Sequence, residues 1–596
     1  MLQCVPMYCI IFSLTDVVNI GIHIPMYIDR VPNRNSPPAI LLREGWREDG
    51  TVRKRTVANI SRWPEEKIEA LDRVLKGERL VNPKEAFVIE RSLPHGHVEA
   101  ILGTIRAIGL GRLIAAKRCR QRDLTLAMIV ERLIAPSSKL ATTRLWHTST
   151  LAQELAVEDA EEDDLYQALD WLLERQPQIE KKLAAKHLED GSLVLYDVTS
   201  AHYEGHTCPL VRYGHARGGK KGCPIVVFGL LTDTEGNPVS VDVYAGNTAD
   251  PTTVPDQVEK LRRRFSLNRV VLVGDRGMLT EPKISSFKEH PGLGWISALR
   301  SGAIRKLVDQ GCLQMSLFDQ QYLAEICSPL FPGERLVACF NPFLANERRR
   351  KREELLAATE KDLDKIVRDI KRRTRTPLDK VAIAKRAGKV LYRHKMAKHF
   401  SLKIDDGRLC YERKDGAISR ESSLDGIYVI RTSESKERMS PEDAVRNYKN
   451  LAQVERAFRS IKGLDILVRP IFHRTENHVR AHIFLCMLAY YVEHHMRNLL
   501  RPLLFDDEQL PDLRAVRDPV KPATPSASAK RKKATHKTLD ELPVQSFRTL
   551  IDNLATRCRN WCRVKGQSKD PGFQQITIAT PLQKRAFTLL GLSRSQ

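Results

Sequence analysis

Residues 192–299 contain a series of short apolar runs that limits the possible folds more than any other feature of the sequence. A helical pattern, TTVPDQVEKLRRRF, separates the third run from the fourth. The runs are rich in β-branched residues and end at Gly, Pro or Asp, which is typical of strands: SLVLYDVT, PIVVFGLLT, PVSVDVYAG, RVVLVGDRG and GWISAL. Three strands, a helix and further strands predict a mixed α/β sheet flanked by helices and exclude a β-sandwich.

The residues before this region divide into two parts. The first 25 residues are apolar but lack a basic n-region and a cleavage site, and their apolar runs are too short to span a bilayer. We interpret residues 1–25 as a spurious extension that precedes a true start at Met26. Residues 26–188 predict a hairpin over 38–63, with Asp-Gly at its turn, and then amphipathic helices. A DNA-binding role and a purely structural bundle both explain these helices.

The residues after position 299 predict an interruption of the α/β domain. Charged helical runs over 300–424 predict an insertion, which is either a solvated helical hairpin or a DNA-contacting surface. The strand DGIYVIRT returns the chain to the domain, so that 189–299 form its first part and 425–505 its second. Residues 506–596 have the composition of a flexible basic linker followed by a short helical tail.

The charge of the chain indicates the class of its partner. Among its 596 residues, Lys and Arg exceed Asp and Glu by 97 − 73 = 24. Such an excess makes the chain repel itself unless a polyanion shares its surface, and nucleic acid is the polyanion that this favours. A basic protein with no such partner is the alternative. The twelve cysteines contain no C-x-x-C pair, which predicts a reduced cytoplasmic protein and not a disulfide scaffold.

Two aspartates lie where strands of the predicted sheet present side chains to a cleft. Asp197 is inside the strand VLYDVTS, where a carboxylate is costly to desolvate unless a partner or metal compensates. Asp275 follows the apolar run VVLVG, and ligands collect at the carboxyl ends of such strands. Convergent carboxylates bind the divalent ions that drive phosphodiester chemistry, so both residues are candidate Mg²⁺ ligands. A turn or capping role is the alternative for each.

A helix that begins at the capping sequence Ser-Pro-Glu-Asp (440–443) carries a third candidate, Glu455. Tyr448, Glu455 and Lys462 are spaced seven residues apart, so they drift by only about 20° per step around one continuous helix. Arg459 lies near the same face. A stripe of this kind suits phosphate and metal binding and does not suit a core. A salt-bridged, solvent-exposed stripe is the alternative.

These motifs, in this order, resemble those of the insertion-sequence transposases that have a ribonuclease H-like DDE catalytic domain. The resemblance extends roughly over residues 26–505 and rests on several motifs. Besides the aspartates and the helix, the matching segments are YGHARGGKKGCPIVVFGLL, GNPVSVDVYAGNTADPTT, LVGDRGML and RPIFHRTENHVRAHIFLCMLAYYVE. The 300–424 segment then corresponds to the family's insertion before the glutamate helix.

The chain is most similar to the subgroup in which the DDE glutamate lies on a helix with the signature Tyr-x2-Arg-x3-Glu-x6-Lys. Three signature positions are matched, by Tyr448, Glu455 and Lys462. Leu451 stands at the Arg position, which departs from the signature. A phosphate contact is therefore left to be supplied by Arg459 or Arg456.

The resemblance implies a chemistry and a set of partners. The implied metal ligands are Asp197, Asp275 and Glu455. They would bind two Mg²⁺ or Mn²⁺ ions, and water activated there would cut DNA at the element ends, after which the freed 3′-hydroxyl would attack target DNA. The implied phosphate-binding residues are Tyr448, Arg459 and Lys462. The implied partners are double-stranded DNA, at the element ends and at the target, and a second copy of the chain in a homodimer at the nucleoid.

Other polar residues in the region are interpreted as structural. Asp233, Asp242 and Asp250 lie in strand-turn contexts, which predicts turn or rim roles, with Asp250 the most open to a supporting role at the site. The Gly-rich run at 218–222 lacks P-loop spacing, and Trp295 is interpreted as a core residue. Four histidines lack a third ligand or an H-E-x-x-H pattern and are not predicted to bind zinc: His478, His482, His494 and His495.

Two other functions stay open on the sequence alone. One is a ribonuclease H-like nuclease that only cleaves, against which the helix signature and the long basic insertion both argue. The other is a defective or domesticated copy that binds DNA without cutting. The presence of all three carboxylates argues against this second alternative, whereas Leu451 and the unusual N-terminal segment favour it.

Overall fold

A computed structural model of the chain describes residues 23–34, 36–48, 50–78, 87–205, 207–218, 220, 222–318, 321–373, 375–564 and 572–592. The interpretation of residues 1–25 as an extension falls almost wholly outside these ranges. By its internal contacts the chain divides into two compact units. One unit comprises Met1–Arg91 with Asn560–Gln575, and the other comprises Ser92–Arg559 with Ile576–Gln596.

The strands are numbered β1 to β16 in chain order. They are His23–Val31, Ala39–Glu48, Thr51–Asn59, Phe87–Pro94, Leu193–His202, Ile225–Thr232, Pro238–Ala245, Val270–Gly274, Leu293–Ala298, Leu323–Ile326, Arg335–Phe340, Phe400–Asp405, Arg408–Arg413, Ile427–Thr432, Cys558–Val564 and Phe573–Ile576.

The α-helices are numbered α1 to α20 in the same way. They are Glu65–Leu75, Gly96–Ala107, Leu110–Ile114, Arg120–Ile134, Lys139–Leu145, Leu151–Leu155, Glu162–His187, Val254–Glu259, Glu281–Phe287, Ser301–Asp309, Pro342–Arg372, Lys380–His394, Asp415–Ser422, Pro441–Lys449, Leu451–Lys462, Glu476–Leu500, Leu510–Val516, Ala527–Thr535, Phe547–Ala555 and Pro581–Leu589. Within the described ranges, no helix is both long enough and apolar enough to cross a membrane.

The smaller unit begins with a three-stranded antiparallel sheet, β1-β2-β3. The predicted hairpin is confirmed, because β2 pairs antiparallel with β3 from Glu48 and Thr51 to Leu41 and Asn59. Helix α1 covers one side of this sheet, and Ile40, Ile60 and Ile68 form a small buried core there. Every residue of β3 is exposed.

The larger unit is built on an eight-stranded sheet with the order β10-β11-β14-β9-β8-β5-β6-β7. Strands β5, β6 and β7 run antiparallel to their neighbours in turn, whereas β8 and β9 extend the sheet parallel to β5. The mixed α/β sheet predicted from the five apolar runs is therefore confirmed. Three antiparallel strands followed by parallel strands on the other side of the first one form the expected ribonuclease H-like arrangement.

Helices cover both faces of this sheet, and the alternation of side chains along each strand explains the two cores. On β5, Leu195 and Ala201 face a core that is formed with α4, α7 and α16. Val194 and Tyr196 point the other way, into a second core that includes Val258 of α8. Helix α16 is buried along most of its length because this first core surrounds it. Asp197 is in step with Leu195 and so belongs to the first face.

The segment 300–424 contributes more to the sheet than its charged composition predicts. Strands β10 and β11 lie within it and pair antiparallel at the sheet edge, where β11 also pairs with β14. Their apolar runs are short, so the charged helical pattern around them dominates the sequence signal. The part that leaves the sheet consists of α11, α12 and the β12–β13 hairpin, which share a core of their own.

The C-terminal segment contains regular elements where its composition predicts a linker. Within 517–540, helix α18 is capped by Ser526, and the buried ammonium of Lys532 donates to the backbone carbonyls of Arg501, Leu504 and Asp506. The tail that was predicted to be helical contains α19 and α20 but also strands β15 and β16. Composition alone does not distinguish a basic side chain that donates to backbone carbonyls, as Lys532 does, from one that is exposed to solvent.

Candidate active site

Asp197 lies in the middle of β5 on the face that packs against α15. Strand β6 and helix α15 meet on this face, where the rings of Phe228 and Phe458 are 5.6 Å apart and edge-to-face. The Asp197 carboxylate is half-buried, and its Oδ1 accepts a hydrogen bond from the backbone N–H of Val198 at 2.8 Å. The pKa of Asp197 is raised to about 7, chiefly by burial and also by the nearby negative charges of Asp275 and Glu455, which act against that hydrogen bond and the charge of Arg217.

Asp275 is brought beside Asp197 by the parallel pairing of β5 and β8. The register aligns Tyr196 with Gly274, so the next residues of the two strands are Asp197 and Asp275. The Asp275 side chain is exposed, and its Oδ2 accepts the backbone N–H of Gly277 at 3.2 Å. Its Oδ1 accepts the hydroxyl of Tyr448, also at 3.2 Å. The carboxylate is thus held from two sides at the carboxyl end of a buried strand.

The segment predicted to be one helix from Ser440 to Gly463 forms two helices, α14 and α15, which meet at Asn450. The break arises because the turn tightens there: the N–H of Asn450 donates to the carbonyl of Asn447 as well as to that of Arg446. Tyr448 lies before the break, whereas Glu455 lies after it on α15. Glu455 is exposed, and its charge raises the pKa of Asp197, so the two carboxylates are near each other.

Lys462, at the end of α15, crosses to β5. Its Nζ donates to Oγ1 of Thr199 at 2.6 Å and to the backbone carbonyl of Arg217 at 3.2 Å. Burial, followed by the charge of Arg469, lowers the pKa of Lys462 to about 8, while the charge of Asp197 acts in the opposite direction. Lys462 therefore places an ammonium group beside the carboxylates and keeps it mostly charged at pH 7.

Two residues that the sequence did not identify also belong to this site. Thr199 binds Lys462, and its position two residues after Asp197 on the same strand face is a signal that alternation provides. Arg217, in the loop before β6, forms an ion pair with Asp250, and the electrostatic influence of its guanidinium reaches Asp197. No periodic pattern marks Arg217. Asp250, which we interpreted as a turn or rim residue, is therefore linked to the carboxylates through Arg217.

Sequence comparison identifies the family. Residues 189–492, just over half of the chain, match the family model described as Transposase DDE domain, and this range includes β5, β8 and α15. The chain belongs to the DDE transposase family. Residues 28–85 of the transposase also match the IS1634 family transposase N-terminal domain. The resemblance seen in the sequence is confirmed: the chain is a DNA transposase of an insertion sequence and an enzyme of the polynucleotidyl-transferase type. The helix signature itself stays a prediction.

No curated protein matches the sequence of the transposase. Among solved structures it is similar to the piggyBac transposase in a synaptic complex with hairpin DNA, with 10% sequence identity and a TM-score of 0.32 over 77% of this chain and 76% of the other.

DDE transposase domains generally use divalent metal ions, and the residues of this transposase fit such ions in their donor chemistry. Mg²⁺ and Mn²⁺ prefer hard oxygen ligands, which Asp197, Asp275 and Glu455 supply from three separate elements. The negative charges of Asp275 and Glu455 disfavour ionisation of Asp197, and a bound cation would offset this effect. Among the described residues, no group of three or more His, Cys, Asp or Glu side chains is already close enough to hold a metal ion.

Arg459 and Leu451 distinguish the transposase from the signature pattern. Leu451 is partly buried against the main core, so that position offers packing and no charge. Arg459 is exposed and lines a cavity of about 630 Å³ on another side of α15. None of the three carboxylates lines this cavity. We call it the arginine pocket, because six of its lining residues are arginines: Arg446, Arg456, Arg459, Arg497, Arg501 and Arg514.

The residues that we interpreted as structural have local partners. Asp233 accepts the backbone N–H groups of Glu235 and Asn237, which closes the turn between β6 and β7. Asp242 pairs with Lys260. The four histidines bond to nearby groups in the described part of the chain: His478 to Asp170, His482 to the Val468 carbonyl, His494 to Asn498 and His495 to the Tyr491 carbonyl.

Proposed function

We propose that Asp197, Asp275 and Glu455 are the catalytic carboxylates with which this transposase cuts the ends of its element and joins them to target DNA. The observation that carries the proposal is the convergence of three acids from β5, the end of β8 and α15. Asp275 and Glu455 are close enough to Asp197 that both raise its pKa, on top of the effect of burial. Carboxylates held this close to one another are unfavourable by themselves, and a bound cation would compensate their charge.

Each carboxylate contributes from a fixed position. The β5–β8 register aligns Tyr196 with Gly274, the residues directly before Asp197 and Asp275, and α15 carries Glu455, whose charge raises the pKa of Asp197. Two Mg²⁺ or Mn²⁺ ions held there would supply activation of the attacking water and stabilisation of the leaving oxygen. Tyr448, through its hydroxyl, orients the Asp275 carboxylate, since it donates to the oxygen that the Gly277 N–H leaves open.

The same site contains groups that suit the DNA backbone. The ammonium group of Lys462 donates to Thr199 and to the Arg217 carbonyl. Its third N–H would donate to a phosphate beside the cut. We propose that Tyr448 and Lys462 bind phosphates next to the scissile bond. Arg459 binds phosphate farther along the strand, because it lies in the arginine pocket.

The family and the net charge of +24 support double-stranded DNA as the partner. Because two element ends must be cut together, we propose a homodimer on DNA at the nucleoid. Residues 26–188 are proposed to bind the element ends. Their fully exposed strand β3 contains Arg53, Lys54 and Arg55 in a row, which suits contact with a phosphate backbone.

Strand transfer on DNA that carries the cognate ends tests this proposal. The variants Asp197→Ala, Asp275→Ala and Glu455→Ala are each expected to lose cleavage and joining by about 10³-fold or more, because each removes a metal ligand. Asp309→Ala, which removes an exposed acid from the end of α10, is the matched control and should keep full activity. Binding of end DNA by every variant shows that the fold is intact. Full activity in any of the three variants would sink the assignment.

The same assay separates the two alternative functions. A nuclease that only cleaves gives hydrolysed ends in Mg²⁺ or Mn²⁺ and no joined product. An inactive DNA-binding copy binds end DNA and produces no nick in Mn²⁺. Either result with the wild-type chain contradicts the proposed strand transfer.

A further inference from the structure

The arginine pocket holds more positive charge than the acids of its own lining neutralise. It is formed by α14, α15, the second half of α16, α17 and the turn between β6 and β7. Of its arginines, Arg497 pairs with Glu493, Asp465 and Asp506, and Arg446 pairs with Asp443. The two acids Asp465 and Asp506 also line the pocket, so Arg497 already uses them.

The other four arginines have no carboxylate partner within ion-pair distance in the described residues: Arg456, Arg459, Arg501 and Arg514. Arg501 donates to the amide oxygen of Asn498 at 2.6 Å, which leaves its charge uncompensated. Glu235 is the remaining acid in the lining, so the charges of these residues sum to about +3. By contrast, the buried arginines Arg352 and Arg431 are each paired with an acid.

These arginines are close enough to affect each other. Burial lowers the pKa of Arg514, and the charges of Arg456, Arg517 and Arg501 lower it further, against the opposite effect of Glu235. Like charges held together in a partly desolvated cavity are unfavourable unless an anion is bound among them. The side-chain amides of Asn450 and Gln453 line the same pocket and make no hydrogen bond to the described part of the protein. They add neutral donors to the cationic ones.

Phosphate is the anion that this arrangement fits. Arginine is weakly hydrated and presents a planar fork that binds phosphate oxygens in pairs, so several such groups around one cavity favour phosphate over a single carboxylate. A cavity of about 630 Å³ lies within the usual range for bound ligands and has room for a phosphodiester with its sugar. We propose that the arginine pocket is a phosphate-binding site, separate from the carboxylates, with Arg456 and Arg514 as its central ligands.

The phosphate could belong to the DNA backbone or be a free ion, and the test distinguishes the two sources. Wild type, Arg456→Gln/Arg514→Gln and a control double variant are titrated with inorganic pyrophosphate and, separately, with a short duplex of arbitrary sequence over a range of salt concentrations. The control, Arg263→Gln/Arg305→Gln, removes two exposed arginines that lie outside the pocket and outside residues 26–188, and so loses the same charge.

If the ligand is DNA backbone, the pocket variant binds duplex about tenfold or more weakly than the control does. The slope of log affinity against log salt concentration also decreases by about 0.9 for each DNA phosphate that the variant no longer neutralises. If the ligand is free phosphate, the pocket variant loses pyrophosphate binding and retains duplex binding. Behaviour equal to that of the control with both ligands would overturn the proposal.

Two additional variants keep these outcomes interpretable. Arg456→Lys/Arg514→Lys retains the charge and loses the paired hydrogen bonds, so we expect an intermediate affinity; an unfolded protein would instead lose everything. Glu455→Ala is expected to bind pyrophosphate as the wild type does, because the pocket does not include the carboxylates. The phosphate site and the catalytic assignment can therefore fail independently.

Discussion

Helix α15 lies between two concentrations of charge of opposite sign. On one side the negative charges of Glu455 and Asp275 both act on Asp197 and raise its pKa. On another side Arg456 joins Arg514 and other arginines that repel one another. The helix is amphipathic in the usual way as well, since Val454, Ala457, Phe458 and Ile461 are buried. An unpaired cluster of charge is unfavourable in an isolated protein, and each cluster therefore indicates the sign of the ligand that it binds.

The two sides also differ in how tightly their polar groups are held. On the acidic side, the Tyr448 hydroxyl donates to Asp275 at 3.2 Å and Lys462 donates to Thr199 at 2.6 Å, which suits a reaction that requires a fixed geometry. Arg456, Arg459 and Arg514 make no side-chain hydrogen bond within the described residues, which suits a flexible contact with a backbone. Four measurements test this contrast.

The largest expected effect is the pH dependence of cation binding on the acidic side. The pKa of Asp197 is raised to about 7, so a divalent ion must displace a proton below that pH. The apparent affinity for Mn²⁺ should then decrease by about tenfold for each pH unit below 7. Isothermal titration of the wild type from pH 8 to pH 5 measures it. An affinity independent of pH would show that binding of the ion displaces no proton from Asp197, which would contradict its role as a ligand with a raised pKa.

The same raised pKa has a consequence for stability without metal. Because the carboxylate of Asp197 is harder to ionise in the folded chain than in the unfolded one, stability contributed by this residue decreases as pH rises from about 4 towards 7. Asp197→Asn should therefore raise the melting temperature at pH 8 and leave it unchanged at pH 4, although we expect the same variant to lose catalysis. An equal change in melting temperature at both pH values would contradict this expectation.

A smaller effect is expected for Lys462, the cation on the acidic side. Lys462→Gln should reduce the rate of strand transfer at pH 7 by roughly tenfold, the contribution of a charge-assisted hydrogen bond to phosphate. The pKa of Lys462 is about 8, so the advantage of the wild type should shrink as pH rises above 8. Single-turnover rates at saturating DNA from pH 7 to pH 9 measure this. A constant ratio would mean that the ammonium charge is not used.

The smallest effect is expected for Arg459, which by spacing belongs with Glu455 and by structure lines the arginine pocket. Arg459→Gln should weaken duplex binding by about two- to fivefold, as is typical for an exposed charge. The rate at saturating DNA should not change. If that rate decreases while the affinity is constant, Arg459 belongs to the catalytic side and the two faces of α15 are less distinct than proposed.

The parts of the fold that were predicted correctly are those with a local cause. Strands β5 to β9 were predicted because each is a short apolar run bounded by Gly, Pro or Asp. Strands β10 and β11 were missed, since their neighbours are strongly charged helices and the pairing of an edge strand is not local. The break at Asn450 was also missed, because a polar residue in a helix gives no sign that the turn will tighten.

The candidate site shows the same division. Thr199 was within reach of the sequence, since it shares a strand face with Asp197, whereas Arg217 was not, because its loop has no periodic pattern. For Asp250 the sequence indicated a turn and left a supporting role at the site open. Its ion pair with Arg217 is a contact that only the tertiary structure shows.

By itself the sequence determined the mixed sheet, the basic charge, the two aspartates on strands and the spacing around Glu455. Periodicity and composition are properties of neighbouring residues, and they act before the chain folds. The tertiary structure alone decided that Tyr448 bonds to Asp275, 173 positions away, and that Lys462 bonds to Thr199, 263 positions away. It also decided that the arginines of α14 to α17 share one pocket. Such contacts depend on strand register and helix packing, which only the complete fold defines.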